Sequence, residues 1–153
     1  MKCLVEKKYN VSNVCVIPNA INDFWFSENK SKIHLEGCPS IFYHGRLSYE
    51  KGVDLLIKGF AKSKRSGAIL YISGSGDQLN YLKSIVEEEG IINNVKFLGK
   101  ITHNQIKMYL LSADLAIYPS RYEAFSLAIL EAFATLNGIV FYSNKAGIND
   151  FVD

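Results

Sequence analysis

From residue 40 onward, short apolar runs alternate with stretches whose apolar residues recur every three or four positions. The runs at 41–44, 68–72, 95–98, 114–118 and 138–142 are rich in β-branched and aromatic residues and read as buried strands. Val53, Leu56, Ile57 and Phe60 share one helical face, which predicts a helix over 52–63. Leu79, Leu82, Ile85 and Val86 predict a second over 78–89, with Asp77 as its cap and Gly90 as its stop. Thr102 caps a third, to about residue 112, carrying Ile106, Tyr109 and Leu110. A fourth covers 126–136, and 148–152 reads as the first turn of another. Strand and helix in strict alternation predict an α/β domain, a doubly wound parallel sheet of Rossmann-like form with helices on both faces. Such sheets bind ligands outside the carboxyl ends of their strands. The chemistry is therefore expected in the loops at 44–51, 73–77, 99–102, 119–125 and 143–147.

Before residue 40 the pattern is less regular. Residues 14–17 form a β-rich run closed by Pro18-Asn19, which predicts a strand and a turn. Asp23-Phe24-Trp25-Phe26 is an aromatic cluster, read as an anchor on the domain surface rather than a ligand-stacking face. The polar residues 27–32 read as a loop or linker. The chain thus divides into an opening strand and linker over 1–39 and a Rossmann-like domain over 40–153.

Composition narrows the picture. The 153 residues suffice for one domain with a sizeable core, and 48% hydrophobic with 21% charged is the balance of a globular protein. A net charge of +2, with no run of like charges, gives no argument for nucleic acid as a partner. Cys3, Cys15 and Cys38 lack CxxC spacing, which argues against a zinc site or disulfide framework and for a reducing, cytoplasmic setting. The first residues have no signal-peptide core, and no stretch approaches the ~18 apolar residues of a membrane span. Peripheral contact with the inner face of a membrane stays open.

Gly45-Arg46-Leu47 through Lys51-Gly52 joins a strand end to a helix start. A planar fork, a point charge and free backbone N–H groups at a helix N-terminus suit a diphosphate. Two solvated surface cations on a turn would look the same. Gly74-Ser75-Gly76 is either a tight turn or a phosphate contact. Glu123 stands before the fourth helix and Glu131 lies inside it, eight residues on. On one helix that is about 12 Å of rise, too far for a glycosidase pair. Two separate hydrogen-bonding posts along an extended, hydroxyl-rich ligand fit better. A first-turn acid and a buried ion pair with Lys or Arg are the plain alternatives. Glu131 sits among apolar neighbours, so something polar must meet it. His34, His44 and His103 have no metal-ligand spacing; His44, beside the clamp, is read as a satisfied structural histidine, with a place in the site's lining as the alternative.

In this order and at these spacings the pieces resemble the C-terminal domain of retaining GT-B-fold glycosyltransferases, group 1 (family 4). Ile17-Pro18-Asn19 is similar to the family's opening turn. Gly45-Arg46-Leu47 with Lys51-Gly52 is similar to its G-R-L-x-x-x-K-G, and Glu123 to Glu131 to its E-x7-E. The resemblance implies the C-terminal half of a GT-B fold that binds a nucleotide-diphosphate-sugar, a UDP or GDP sugar, as substrate, with no cofactor and no metal. It implies that Arg46 and Lys51 hold the diphosphate, with Gly45, Gly74 and Gly76 nearby. Glu123 would meet the sugar, backbone at Ala124, Phe125, Ser126 and Leu127 would meet sugar or phosphate, and Glu131 the ribose. Lys100 and Ile101 would flank the base. Arg46, Lys51 and Glu123 carry the catalytic expectation.

The sequence departs from the family at Ala146-Gly147, where two glycines are usual, and at Asp150, where Glu is commoner. The resemblance also implies that an N-terminal acceptor domain and closing C-terminal helices are missing from this stretch, so the isolated chain would transfer little. Polysaccharide, lipopolysaccharide or other glycoconjugate synthesis is the expected setting. A donor-binding subunit of a split enzyme and a non-catalytic nucleotide-sugar-binding module are the alternatives.

Overall fold

The computed structural model describes residues 2–15, 17, 19–27, 31–135 and 138–144. The expectations at Pro18, Ala146, Gly147, Asp150 and 148–152 lie outside these. Helix α1 (Lys2–Tyr9) opens the chain. Its sequence shows no apolar stripe, and Lys7 and Lys8 in the last turn suit the helix dipole. The strand expected over 14–17 does not form at the described positions 14, 15 and 17. A β-rich run becomes a strand only where it finds a ladder partner, and β-propensity alone is weak. Here Ile17 is almost fully exposed.

The rest follows the predicted alternation. Strand β1 (Ser40–His44) leads through a 3₁₀ turn (Tyr49–Lys51) into α2 (Val53–Ser63). Then come β2 (Ile69–Ser73), α3 (Leu79–Glu88), β3 (Val95–Gly99) and α4 (His103–Ser112). The described chain closes with β4 (Leu115–Tyr118), α5 (Leu127–Thr135) and β5 (Ile139–Tyr142). The five strands pair in parallel, in the order β3-β2-β1-β4-β5. Every residue of central β1 is buried, as expected of a strand covered on both faces. Helix α2 packs with α3, and α4 with α5.

The predicted faces of α2 and α3 are the buried ones, with Leu79 half-buried, whereas on α4 Leu110 is buried with Lys107 and Leu111, and Ile106 and Tyr109 are half-buried. Val53, Leu56, Ile57 and Phe60 on α2, and Leu82, Ile85 and Val86 on α3, meet Phe42, Leu70 and Ile72 in the core. Thr102 forms a full capping box with Gln105 at the start of α4. Asp77 does not cap α3. Gln78 takes that place without a side-chain cap bond, because its N–H donates to the Leu47 carbonyl and that of Leu79 to Gly76.

The aromatic anchor is real, and Trp25 is buried in a 3₁₀ turn (Asp23–Phe26). Lys107, buried on α4, secures it by donating to the carbonyls of Phe24 (2.7 Å) and Ser27 (3.0 Å) and to Ser27 Oγ (2.8 Å). Among the described residues no helix is long and apolar enough to cross a membrane.

Candidate functional site

The strand order turns back between β1 and β4, and the loops after these two strands lie together. This is the switch point where open α/β sheets form their crevice.

The first loop, 45–52, is held rigidly from behind. Gly45 N–H donates to Ser73, Leu47 N–H to Ser75 and Gln78 N–H to Leu47, at 3.0–3.1 Å. Gly74 and Gly76 make this contact possible. A Cβ on Gly76 would lie 2.1 Å from the Leu47 carbonyl oxygen, and one on Gly74 1.8 Å from that of Gly45. Of the two readings of these glycines, the tight turn is what the structure shows, in the backing they give the Arg46 loop. Tyr43 Oη donates to the Arg46 carbonyl at 2.9 Å. With its backbone fixed, Arg46 extends an exposed side chain that no described side chain hydrogen-bonds.

Lys51 ends the 3₁₀ turn, and Gly52 follows in the left-handed region at φ +64°. A Cβ there would lie 2.2 Å from the Pro119 carbonyl oxygen, so glycine lets α2 start against the second loop. Lys51 Nζ donates to Glu123 Oε2. The cation expected at phosphate and the carboxylate expected at sugar thus meet, with side chains 28% and 9% exposed. Below them burial pushes the Tyr43 phenol well above its ordinary range, and the Glu123 charge adds to it.

A clasp that sequence reasoning missed sets the second loop. Arg121 donates from both terminal nitrogens to the Asp54 carboxylate, each at 2.7 Å, and to the Tyr49 carbonyl at 2.8 Å. Its guanidinium lies 4.2 Å from the Tyr49 ring centroid. Those hydrogen bonds hold the Asp54 carboxyl below its usual range. Arg121 N–H also donates to the Glu50 carbonyl at 2.7 Å.

At the start of α5 (Leu127–Thr135) the buried Ser126 accepts from the Ile129 N–H at 3.4 Å, so it stands before the helix as an N-cap and not inside it. Ala124 and Leu127 are exposed and Phe125 is half-buried. Just over one turn into the helix, Glu131 finds its polar partner. His44 Nε2 lies 2.9 Å from Glu131 Oε2, and His44 Nδ1 lies 2.9 Å from Tyr118 Oη. The alternative of a Lys or Arg partner is corrected: the end of β1 supplies a histidine. Burial pushes the Tyr118 phenol far up, helped by the Glu131 charge. The Glu131 side chain remains 15% exposed.

Lys100 and Ile101 follow β3, an edge strand, and β3 is tied to the neighbouring loop through the Gly74 N–H to Gly99 carbonyl bond at 2.8 Å. No local sequence signal pointed to Arg121, Asp54, Tyr118 or Lys107, whose partners are distant in the chain.

The fold and the charged loops at its switch point define a Rossmann-type α/β domain. The chain belongs to the glycosyl transferases group 1 family, which matches over residues 26–153. An uncharacterised glycosyltransferase of Methanocaldococcus jannaschii is 36% identical over 167 residues, spanning 99% of this chain and 43% of that protein. The chain thus spans less than half of that relative's length. Among solved structures, S. aureus TarM superposes with a TM-score of 0.79 at 20% identity, covering 99% of this chain and 30% of TarM. HepE of Anabaena, in complex with UDP and glucose, gives a TM-score of 0.68 at 25% identity, covering 75% of this chain and 32% of HepE. The sheet corresponds to the C-terminal, Rossmann-like half of a GT-B fold.

Proposed function

We propose that this chain binds the nucleotide-diphosphate-sugar donor for retaining transfer to a glycan or lipid-linked acceptor. The observation that carries the reading is the meeting of the Arg46 loop, the Lys51–Glu123 pair and the N-terminus of α5 at one switch point. Arg46 is free to fork onto phosphate. Lys51 spends one donor on Glu123 and keeps two for a phosphate oxygen. The backbone at Ala124, Phe125, Ser126 and Leu127 adds N–H groups and the positive end of the α5 dipole. Glu123 accepts from sugar hydroxyls and Glu131 from the ribose.

As the bond to the anomeric carbon breaks, the electron pair goes to the diphosphate oxygen. Arg46, Lys51 and the helix end stabilise the charge that develops there. The acceptor site is contributed by an N-terminal domain or a partner subunit, and the product is a polysaccharide, lipopolysaccharide or other glycoconjugate. The likeness to HepE supports UDP among the nucleotides.

Saturation-transfer NMR with UDP, GDP and ADP sugars tests the reading. Binding of one of these in the millimolar range or tighter is expected, with loss in the Arg46→Ala, Lys51→Ala double variant. Silence across the panel would refute the donor site, and unchanged affinity in the variant would remove the clamp.

A further inference from the structure

The donor reading uses Glu131 and leaves His44 and Tyr118 without a role. These three side chains form a line beneath the cleft. Tyr118 Oη lies 2.9 Å from His44 Nδ1, and His44 Nε2 lies 2.9 Å from Glu131 Oε2. His44 and Tyr118 are buried, while Glu131 keeps a path to the surface. Both rings are fixed by packing. His44 stacks on Phe42 with centroids 5.6 Å apart and meets Tyr118 edge-on at 5.5 Å.

We infer that His44 is a positioning residue, which holds one oxygen of Glu131 through its Nε2–H and so aims the other at the ribose hydroxyls. The direction of the hydrogen bonds follows from the ends of the line. A carboxylate only accepts, so the His44 nitrogen facing it must carry a proton. In the neutral ring the other nitrogen is then an acceptor, and the Tyr118 O–H supplies it. The strong resistance of the buried Tyr118 phenol to ionisation keeps that donor in place. A hydrogen bond fixes a carboxylate's rotamer only if its donor is itself fixed, and an imidazole packed against the Phe42 and Tyr118 rings does not move. The consequence is selectivity for ribose, exerted by a residue that does not touch the ligand. This rests on the donor-site reading of Glu131.

The test compares the affinities of UDP, 2′-deoxy-UDP and 3′-deoxy-UDP in the wild type and three variants. A glutamine amide reaches the position of Nε2, while an asparagine amide reaches only that of Nδ1. His44→Gln therefore keeps the donor to Glu131, and His44→Asn removes it. The wild type should prefer UDP over at least one deoxy analogue by on the order of tenfold, the worth of one hydrogen bond to a charged group. His44→Gln should retain that ratio, and His44→Asn should bring it close to one. Tyr118→Phe keeps the ring but loses the hydroxyl that sets the tautomer, and should lower the ratio to an intermediate value. The ratio is read on folded protein, so a general loss of stability does not imitate the effect. A wild type without ribose preference would overturn both the Glu131 reading and this inference. Preserved preference in His44→Asn, or equal loss in His44→Gln, would overturn the inference alone. Should His44→Asn fail to fold, an undiminished ratio in Tyr118→Phe would overturn it.

Discussion

Replacing Arg121 by Ala removes the clasp between the two loops of the cleft, and its cost can be worked from the structure. Arg121 makes two 2.7 Å hydrogen bonds to Asp54, one of 2.8 Å to the Tyr49 carbonyl, and a stack on the Tyr49 ring. An exposed ion pair contributes about 0.2–1 kcal/mol, and breaking a fully buried one costs about 3–5 kcal/mol. Here the two side chains are 19% and 14% exposed. Bidentate geometry raises the pair above the exposed class, and access to water keeps it below the buried one. We expect a coupling of about 1.5–2 kcal/mol between Arg121→Ala and Asp54→Ala, read from urea unfolding in a double-mutant cycle. Arg121→Ala alone, losing at least that much, should lower the melting temperature by roughly 3–8 °C, given about 2–4 °C per kcal/mol at this chain length. The folded-state pKa of Asp54 lies below its ordinary value of 3.8. The contribution is therefore complete above that value and fades as pH falls through the folded pKa. Costs that add to within about 0.5 kcal/mol at neutral pH would refute the clasp as an energetic unit.

Four further outcomes are expected. Gly76→Ala should cost about 3 kcal/mol or more, because its Cβ meets the Leu47 carbonyl, while Gly90→Ala, with open space at φ +68°, should cost only about 1 kcal/mol. Equal costs in chemical denaturation would contradict the backing role of the 74–76 turn. Arg46→Ala should change stability by no more than about 0.5 kcal/mol, whereas Lys51→Ala strands the Glu123 carboxylate, whose side chain is only 9% exposed, and should cost about 1–3 kcal/mol. The same melting temperature for both would argue against that pair. Lys107→Met should free the Asp23–Phe26 turn, and the fluorescence of Trp25, the one tryptophan in the sequence, should shift to the red. An unmoved spectrum would remove Lys107 as the anchor. Tyr43 and Tyr118 have folded pKa values above their ordinary 10.0, so their contribution is full below pH 10 and is lost as pH rises beyond it. Ultraviolet titration should show the two phenols ionising only with unfolding.

The alternation of β1 to β5 with α2 to α5 was legible because each element writes its own period into adjacent residues. The cap at Thr102 was legible for the same reason, although its reciprocal bond with Gln105 was not read. The loops at 44–51 and 119–125 could be placed at strand ends before any geometry was known. Their internal partners could not. Lys51 meets Glu123 across 72 residues, Arg121 meets Asp54 across 67 and His44 meets Glu131 across 87. Such pairs depend on which strand lies beside β1, and local pattern does not carry that information. The need for a polar partner at Glu131 was readable from its apolar neighbours, but the identity of that partner was not. The strand expected over 14–17 failed for the converse reason, since composition was right and a ladder was lacking. Helix α1 went unpredicted because its polar run carries no period to read.

The place of β1 at the centre of the sheet also bears on how the molecule folds. Strands β1, β2 and β3 join through successive local crossovers, whereas β4 must return past them to register Ile41 with Leu115 and Phe42 with Ala116. That closure is the long-range step, and loop entropy makes such steps slow. A molecule halted before it would own the Arg46 loop but neither Glu123 nor Glu131. The cleft is thus assembled at the same moment as the whole sheet, and a partly folded chain presents only half of it.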